Sequence, residues 1–129
     1  MIFIDSSFFI ASIIKRDQWH NRVPEIFPEI KGNKKITSVL ALSEAVTLAG
    51  SLGGGKKGAL LYNYIIDNHE VVYVDKDLSF KAMETFLQYN GSLSFADVVS
   101  LEIMQLVGAD TIVSFDSDFD KVKGIRRIH

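Results

Sequence analysis

Cysteine is absent from this chain, which excludes disulfides, thiolate nucleophiles and thiolate-ligated zinc. Histidine is scarce: His69 and His129 lie scattered from the acidic residues discussed below and need no functional explanation. No apolar run approaches the ~20 residues of a membrane span. The longest, Phe8 to Ile14, is interrupted by Ser12 and followed by Lys15-Arg16. No basic region precedes the first apolar residues and Asp5 breaks them, so no signal peptide is expected, and a cytoplasmic protein without membrane contact is the default. The charge is nearly balanced, at -2; any nucleic acid must be held by local basic patches rather than by the whole surface. Internal repeats, low-complexity tracts and linkers are missing too. The chain is expected to form a single domain over residues 1–129, and its 47% hydrophobic content is ample for a core.

What is present is an alternation of strand and helix signals. Met1 to Ile4 is an apolar strand; Ser6-Ser7 can cap a helix through Ile14. A second helix is expected through Trp19, Val23, Ile26, Phe27 and Ile30, shortened or kinked by Pro24 and Pro28. Lys34 to Thr37 suggests a short edge strand, and Ser38 the cap of a helix over Val39–Leu52. Gly53 to Gly58 is expected to be a flexible basic loop before a helix over Ala59–Asp67. Glu70 to Val74 follows as a buried strand, with Asp75 or Asp77 capping a helix that contains Phe80, Met83, Phe86 and Leu87. Ser94 with Asp97 forms a capping-box pattern before a helix apolar on nearly all sides. Asp110 to Phe115 is β-branched and buried in type, and Ile125 to Ile128 closes the chain. This order predicts a single-domain α/β/α sandwich with a mostly parallel sheet of four to five strands.

Acidic residues stand at telling places in that scheme. Asp5 ends the first strand, Asp116 and Asp118 end the fourth, and Glu44 and Asp97 interrupt otherwise apolar helices. Each has an ordinary reading alone: a strand end, a capping acid, a turn, a solvent-reaching glutamate. Their joint placement is more informative, because ligands of an open parallel sheet bind beyond the strands' carboxyl ends. If the first and fourth strands are neighbours, four carboxylates converge without matching arginines. A divalent cation would relieve their repulsion, and an all-oxygen donor set selects Mg2+ or Mn2+ over zinc.

Those acids in context, Asp5 before Ser6-Ser7, Glu44 in L-S-E-A-V-T-L, Asp97 in L-S-F-A-D-V-V-S and Asp116 in S-F-D-S-D-F, resemble the PIN-domain family, and within it the small stand-alone VapC-type toxins. The likeness runs over essentially the whole chain. It implies a metal-dependent ribonuclease with RNA as substrate, usually homodimeric and often encoded with an inhibitory antitoxin. Carried over by motif, Asp5, Glu44, Asp97 and Asp116 would be the catalytic and metal-binding quartet, with Ser7 and Ser114 as supporting hydroxyls. Ser114 stands where the family more often has threonine. Asp118 would be an additional ligand found in only some relatives.

Candidates for phosphate contact are Lys56 and Lys57 in the glycine-rich stretch, then Lys15-Arg16, Lys34-Lys35, Lys121, Lys123, Arg126 and Arg127. The triple glycine lacks the G-x-x-x-x-G-K-[ST] pattern, since Gly58 follows the lysines, so no nucleotide loop is expected. Trp19 and His20 suit either the site entrance or, the favoured reading, support of the second helix. Leu60, Leu61, Tyr62, Tyr64 and Ile65 suggest a partner surface or a core face. Two other classes compete with a nuclease: a non-catalytic PIN-like module binding RNA or protein, and a phosphatase or receiver site. The second lacks both the D-D pair and the D-x-D that such sites need after the first strand.

Overall fold

The computed structural model describes residues 1–129. Its centre is β1 (Ile2–Ile4), three apolar residues buried on both faces. Helix α1 (Ser6–Ile13) follows, then a 3-10 turn at His20–Arg22 and α2 (Val23–Ile30). Next come β2 (Lys35–Ser38), α3 (Val39–Gly53), α4 (Gly55–Asn68), β3 (Glu70–Val72) and α5 (Lys76–Gln88). The chain closes with α6 (Phe95–Val107), β4 (Thr111–Val113), a 3-10 turn at Ser117–Lys121 and β5 (Arg126–Ile128). The five strands form one sheet in the order β3-β2-β1-β4-β5, every pair parallel.

Alternation along β1 divides the core into two layers. Ile2 and Ile4 face α1 to α4, joining Phe9, Ile26, Leu61 and Ile65. Phe3 faces the other way, onto α5 and α6, with Ile36, Ile103, Met104 and Phe119. The sheet grows outward from β1 on one side through β2 and β3, then returns to β1's other side for β4. That reversal makes the crevice beyond β1 and β4 the topological switch point. Asp5 and Asp116 both open into it.

Several local expectations change. β2 is interior: Ile36, Thr37 and Ser38 are buried, and Thr37 donates its hydroxyl to the Ile4 carbonyl at 2.8 Å. The lysines that suggested an edge mark only its entry. β3 ends at Val72 and is itself an edge strand, half-buried at best, with Tyr73 exposed. The glycine-rich stretch is not a loop, because α3 runs to Gly53 and α4 starts at Gly55. Gly54 alone breaks them, at φ +93°. Gly58 lets the two helices close: a Cβ there would lie 3.1 Å from the Val46 carbonyl oxygen. Trp19 precedes α2 rather than belonging to it; Pro24 lies in the first turn of α2, and Pro28 inside the helix. Asp5, not Ser6 or Ser7, occupies the N-cap position of α1, without a capping bond from its side chain. Asp75, rather than Asp77, caps α5. Phe80, Met83 and Leu87 on α5 are exposed, and so is Leu106 in the last turn of α6, which is less enclosed than its composition implies. The capping box of Ser94 and Asp97 is present as expected.

Candidate metal centre at the carboxyl edge of the sheet

Beyond β1 and β4 lies a cavity of about 620 Å³ whose lining includes Asp5, Ser7, Trp19, Glu44, Asp97, Asp116 and Asp118. Asp97, Asp116 and Asp118 each bring one carboxylate oxygen to within 4.8 Å of the others. Local backbone chemistry sets this grouping. Asp116 caps the 3-10 turn, its Oδ1 accepting from the Asp118 N–H at 2.9 Å, so one aspartate orients the next. Asp97 arrives from the other side on the first turn of α6, its Oδ2 accepting from the Ser94 N–H at 3.3 Å.

Asp5 sits behind this group, 8% exposed, in a web of hydroxyls. Its Oδ2 accepts from Ser114 Oγ at 2.6 Å and from Ser7 Oγ at 3.0 Å. The same two hydroxyls accept from the next backbone: Phe115 N–H donates to Ser7 at 2.9 Å, and Asp116 N–H to Ser114 at 3.0 Å. Asp5 N–H bonds the Val113 carbonyl at 3.0 Å. The end of β1 is thereby tied to the segment carrying Asp116. Glu44 is exposed on α3; it lines the cavity but stands outside the three-aspartate group. Asp118, ranked behind the quartet from sequence, stands inside it.

Electrostatics agree with a crowded anionic site. Burial raises the pKa of Asp5 above the usual carboxylate range; the Ser114 and Ser7 hydrogen bonds oppose the rise and the Asp116 charge adds to it. The Asp97 carboxyl is pushed up to about 6, by burial first, then by the charge of Asp5, with Ser94 opposing and Asp116 adding. Lys121 pairs with one of the three aspartates, its Nζ 3.0 Å from Asp118. The donor set holds oxygen and neither nitrogen nor sulfur, and it carries more negative charge than Lys121 offsets. It fits a hard divalent cation of the Mg2+ or Mn2+ type.

The basic candidates divide. Arg127 grips Asp120 through two contacts of 2.9 Å and donates to the Ser114 carbonyl at 3.1 Å, so it buttresses the site from behind. Arg126 pairs with Glu29, and Lys34 with Glu70. Lys57 lies with Lys15 and Arg16 around a smaller hollow of about 190 Å³, which shares Leu52 with the acidic cavity. Lys56 is exposed at the start of α4. Leu61 and Ile65 enter the core, whereas Leu60 and Tyr64 line an apolar cavity with Val23, Pro24 and Phe27. His20 lines that cavity too, its Nδ1 at 2.7 Å from the Ala11 carbonyl oxygen. Trp19, for which the sequence favoured support of the second helix over the site entrance, lines the acidic cavity, as the less favoured reading had it.

A doubly wound parallel domain with a cluster of carboxylates at its switch point defines the class: an α/β domain built around an acidic centre. More narrowly, a family model for the PIN domain matches residues 2–125, and the chain belongs to the PIN domain family. Its structural neighbours include a VapC toxin and several VapBC complexes. VapC20 of Mycobacterium tuberculosis, described as a sarcin-ricin loop cleaving toxin, superimposes with a TM-score of 0.85 at 25% identity over 94% of each chain. VapBC of Salmonella typhimurium, solved bound to DNA, gives 0.70 at 18% identity, over 98% of this chain and 96% of that one. FitAcB of Neisseria gonorrhoeae gives 0.70 at 14%, over 100% and 97%. Comparison with curated protein sequences yields no match.

Proposed function

We propose that the chain is a Mg2+- or Mn2+-dependent endoribonuclease and the toxin of a toxin–antitoxin pair. The observation that carries this reading is the meeting of Asp97, Asp116 and Asp118 oxygens within 4.8 Å, with Asp5 held behind them. Asp5, Asp97 and Asp116 would hold the cation, with Asp118 beside them and Glu44 completing the acidic set from the opposite wall. Ser7 and Ser114 keep Asp5 aimed and join it to the Phe115 and Asp116 backbone. Bound there, the ion would supply a deprotonated water and offset charge on the phosphate oxygens. The chain's own part is to fix that geometry and, through one of the acids, to accept a proton from the attacking water.

Lys57, with Lys15 and Arg16 and the nearby Lys56, would hold RNA phosphate beside the acidic cavity, countering the site's own repulsion. The description of the M. tuberculosis protein makes a structured ribosomal loop the first RNA to try. An antitoxin segment is assigned to the apolar cavity lined by Leu60, Tyr64, Val23, Pro24 and Phe27, about 350 Å³. A homodimer is supported by the exposed Phe80, Met83 and Leu87 of α5. No helix is long and apolar enough to cross a membrane.

The test is incubation of the purified chain with a mixed pool of structured and single-stranded RNAs in Mg2+, Mn2+ or EDTA, beside Asp97→Asn. Cleavage in metal alone, lost in the variant, is expected. Cleavage in EDTA, or unchanged cleavage by Asp97→Asn, would contradict the reading. Metal binding without cleavage of any RNA would favour a non-catalytic binding module.

A further inference from the structure

Beside the acids stands an aromatic tier that the metal chemistry does not use. Trp19 lies flat on Phe115, ring centroids 5.2 Å apart and planes 7° from parallel. Phe115 in turn stacks on Phe8 at 6.1 Å, and Phe8 is buried and edge-on to Phe27 at 5.9 Å. The outermost ring is therefore anchored through two others to the core. Trp19 nevertheless keeps 42% of its surface exposed and lines the same cavity as Asp5, Asp97 and Asp116. Its position is fixed at both ends. The Trp19 backbone N–H donates to Asp17 Oδ1 at 2.8 Å, and Phe115 sits between Ser114 and Asp116, its own backbone N–H bound to Ser7. The platform and the acids are thus held by one web.

We propose that Trp19, backed by Phe115, is a stacking platform for an unpaired nucleobase of the RNA, seating the nucleotide next to the bond that is cut. The inference rests on the nuclease reading and adds a substrate requirement to it. Carboxylates and a cation engage phosphate and carry no information about a base. A base entering this anionic cavity needs a neutral, polarizable surface, and a half-exposed indole on a rigid support supplies one. Stacking of this kind accepts any base but only an unstacked one, so the substrate class is a loop, bulge or single strand, not a continuous duplex. The support is already ordered before binding, so little entropy is lost in using it.

Because Trp19 is the single tryptophan, its fluorescence reports the contact directly. In Ca2+, as a hard cation substituting for Mg2+, the protein is titrated with short random-sequence single-stranded RNA, with the same strands as perfect duplexes, and with abasic strands. Saturable quenching by the first alone is expected. In Mn2+, Trp19→Ala should raise KM for RNA cleavage about 5- to 150-fold, the loss of one base stack, with kcat little changed, and Trp19→Phe should recover most of it. Equal quenching by abasic strands, or an unchanged KM in Trp19→Ala, would overturn the proposal. Should the alanine variant not fold, the titration of the unaltered protein decides alone. Base-dependent quenching without cleavage in any metal would keep the platform and sink the nuclease; cleavage without such quenching would do the reverse.

Discussion

Ser114 shows how much one hydroxyl does at the residue scale. It donates to Asp5 and accepts from the Asp116 backbone, at 2.6 and 3.0 Å, while 1% exposed. Ser114→Ala leaves a buried carboxylate short of a donor, which should cost about 1–3 kcal/mol in denaturant unfolding. It should also lower metal affinity or cleavage about 10- to 100-fold, whereas Ser114→Thr, which keeps the hydroxyl, should approach the parent. Asp97 gives a pH signature. Its folded pKa, about 6, lies above that of the unfolded chain, so between roughly pH 4 and 6 the folded state holds more protons. Metal-free stability should fall as pH rises through that window, by on the order of 1 kcal/mol after allowing for partial exposure, and level off above it. Thermal melts in EDTA across pH would show this. Asp97→Asn should flatten the slope and be the more stable protein at neutral pH, though inactive. A slope of opposite sign would contradict the assignment. These roles were partly legible in the sequence: hydroxyls beside acids at strand ends are visible, whereas their mutual bonds join residues more than a hundred positions apart.

Among the elements, the junction of α3 and α4 departs most from expectation. Three glycines and two lysines imply a flexible loop by composition, yet the two helices abut and are broken at Gly54 alone. Composition could not reveal that Gly58 is there for close approach to the α3 backbone, because the contact belongs to tertiary structure. Gly54, at φ +93° and ψ 161°, holds a backbone conformation that side chains disfavour. Gly54→Ala should destabilise the fold by about 1–3 kcal/mol in urea unfolding; a neutral result would mean that the junction relaxes. α6 was legible in more detail, down to its capping box, since cap and periodicity are local signals. The position of β2 was not. Its lysine-rich entry resembles an edge, and only the pairing of β3 along its far side places it inside. The hydrophobic residues of α5 misled for a related reason: Phe80, Met83 and Leu87 are apolar but face outward.

For the whole molecule, the doubly wound parallel sheet explains why residues from the beginning, middle and end of the chain meet. β1 and β4 deliver Asp5 and Asp116 to one crevice, and α6 swings Asp97 over it, with Glu44 on the wall formed by α3. The fold class followed from strand–helix alternation, and the convergence of acids from the rule for parallel sheets, once β1 and β4 were taken as neighbours. Trp19 was a candidate for the site entrance but not the favoured one, because its partner, Phe115, is distant in sequence. The fold invests stability in gathering carboxylates that repel each other, and metal-dependent cleavage is the central claim that this arrangement supports. The most direct measurement is the rate of RNA cleavage in Mn2+ by the parent chain and by Asp116→Asn, with circular dichroism to verify that both are folded. A loss of at least about a hundredfold is expected in a variant that keeps its spectrum. Asp116→Asn protein that is folded and cleaves at the parental rate would contradict it.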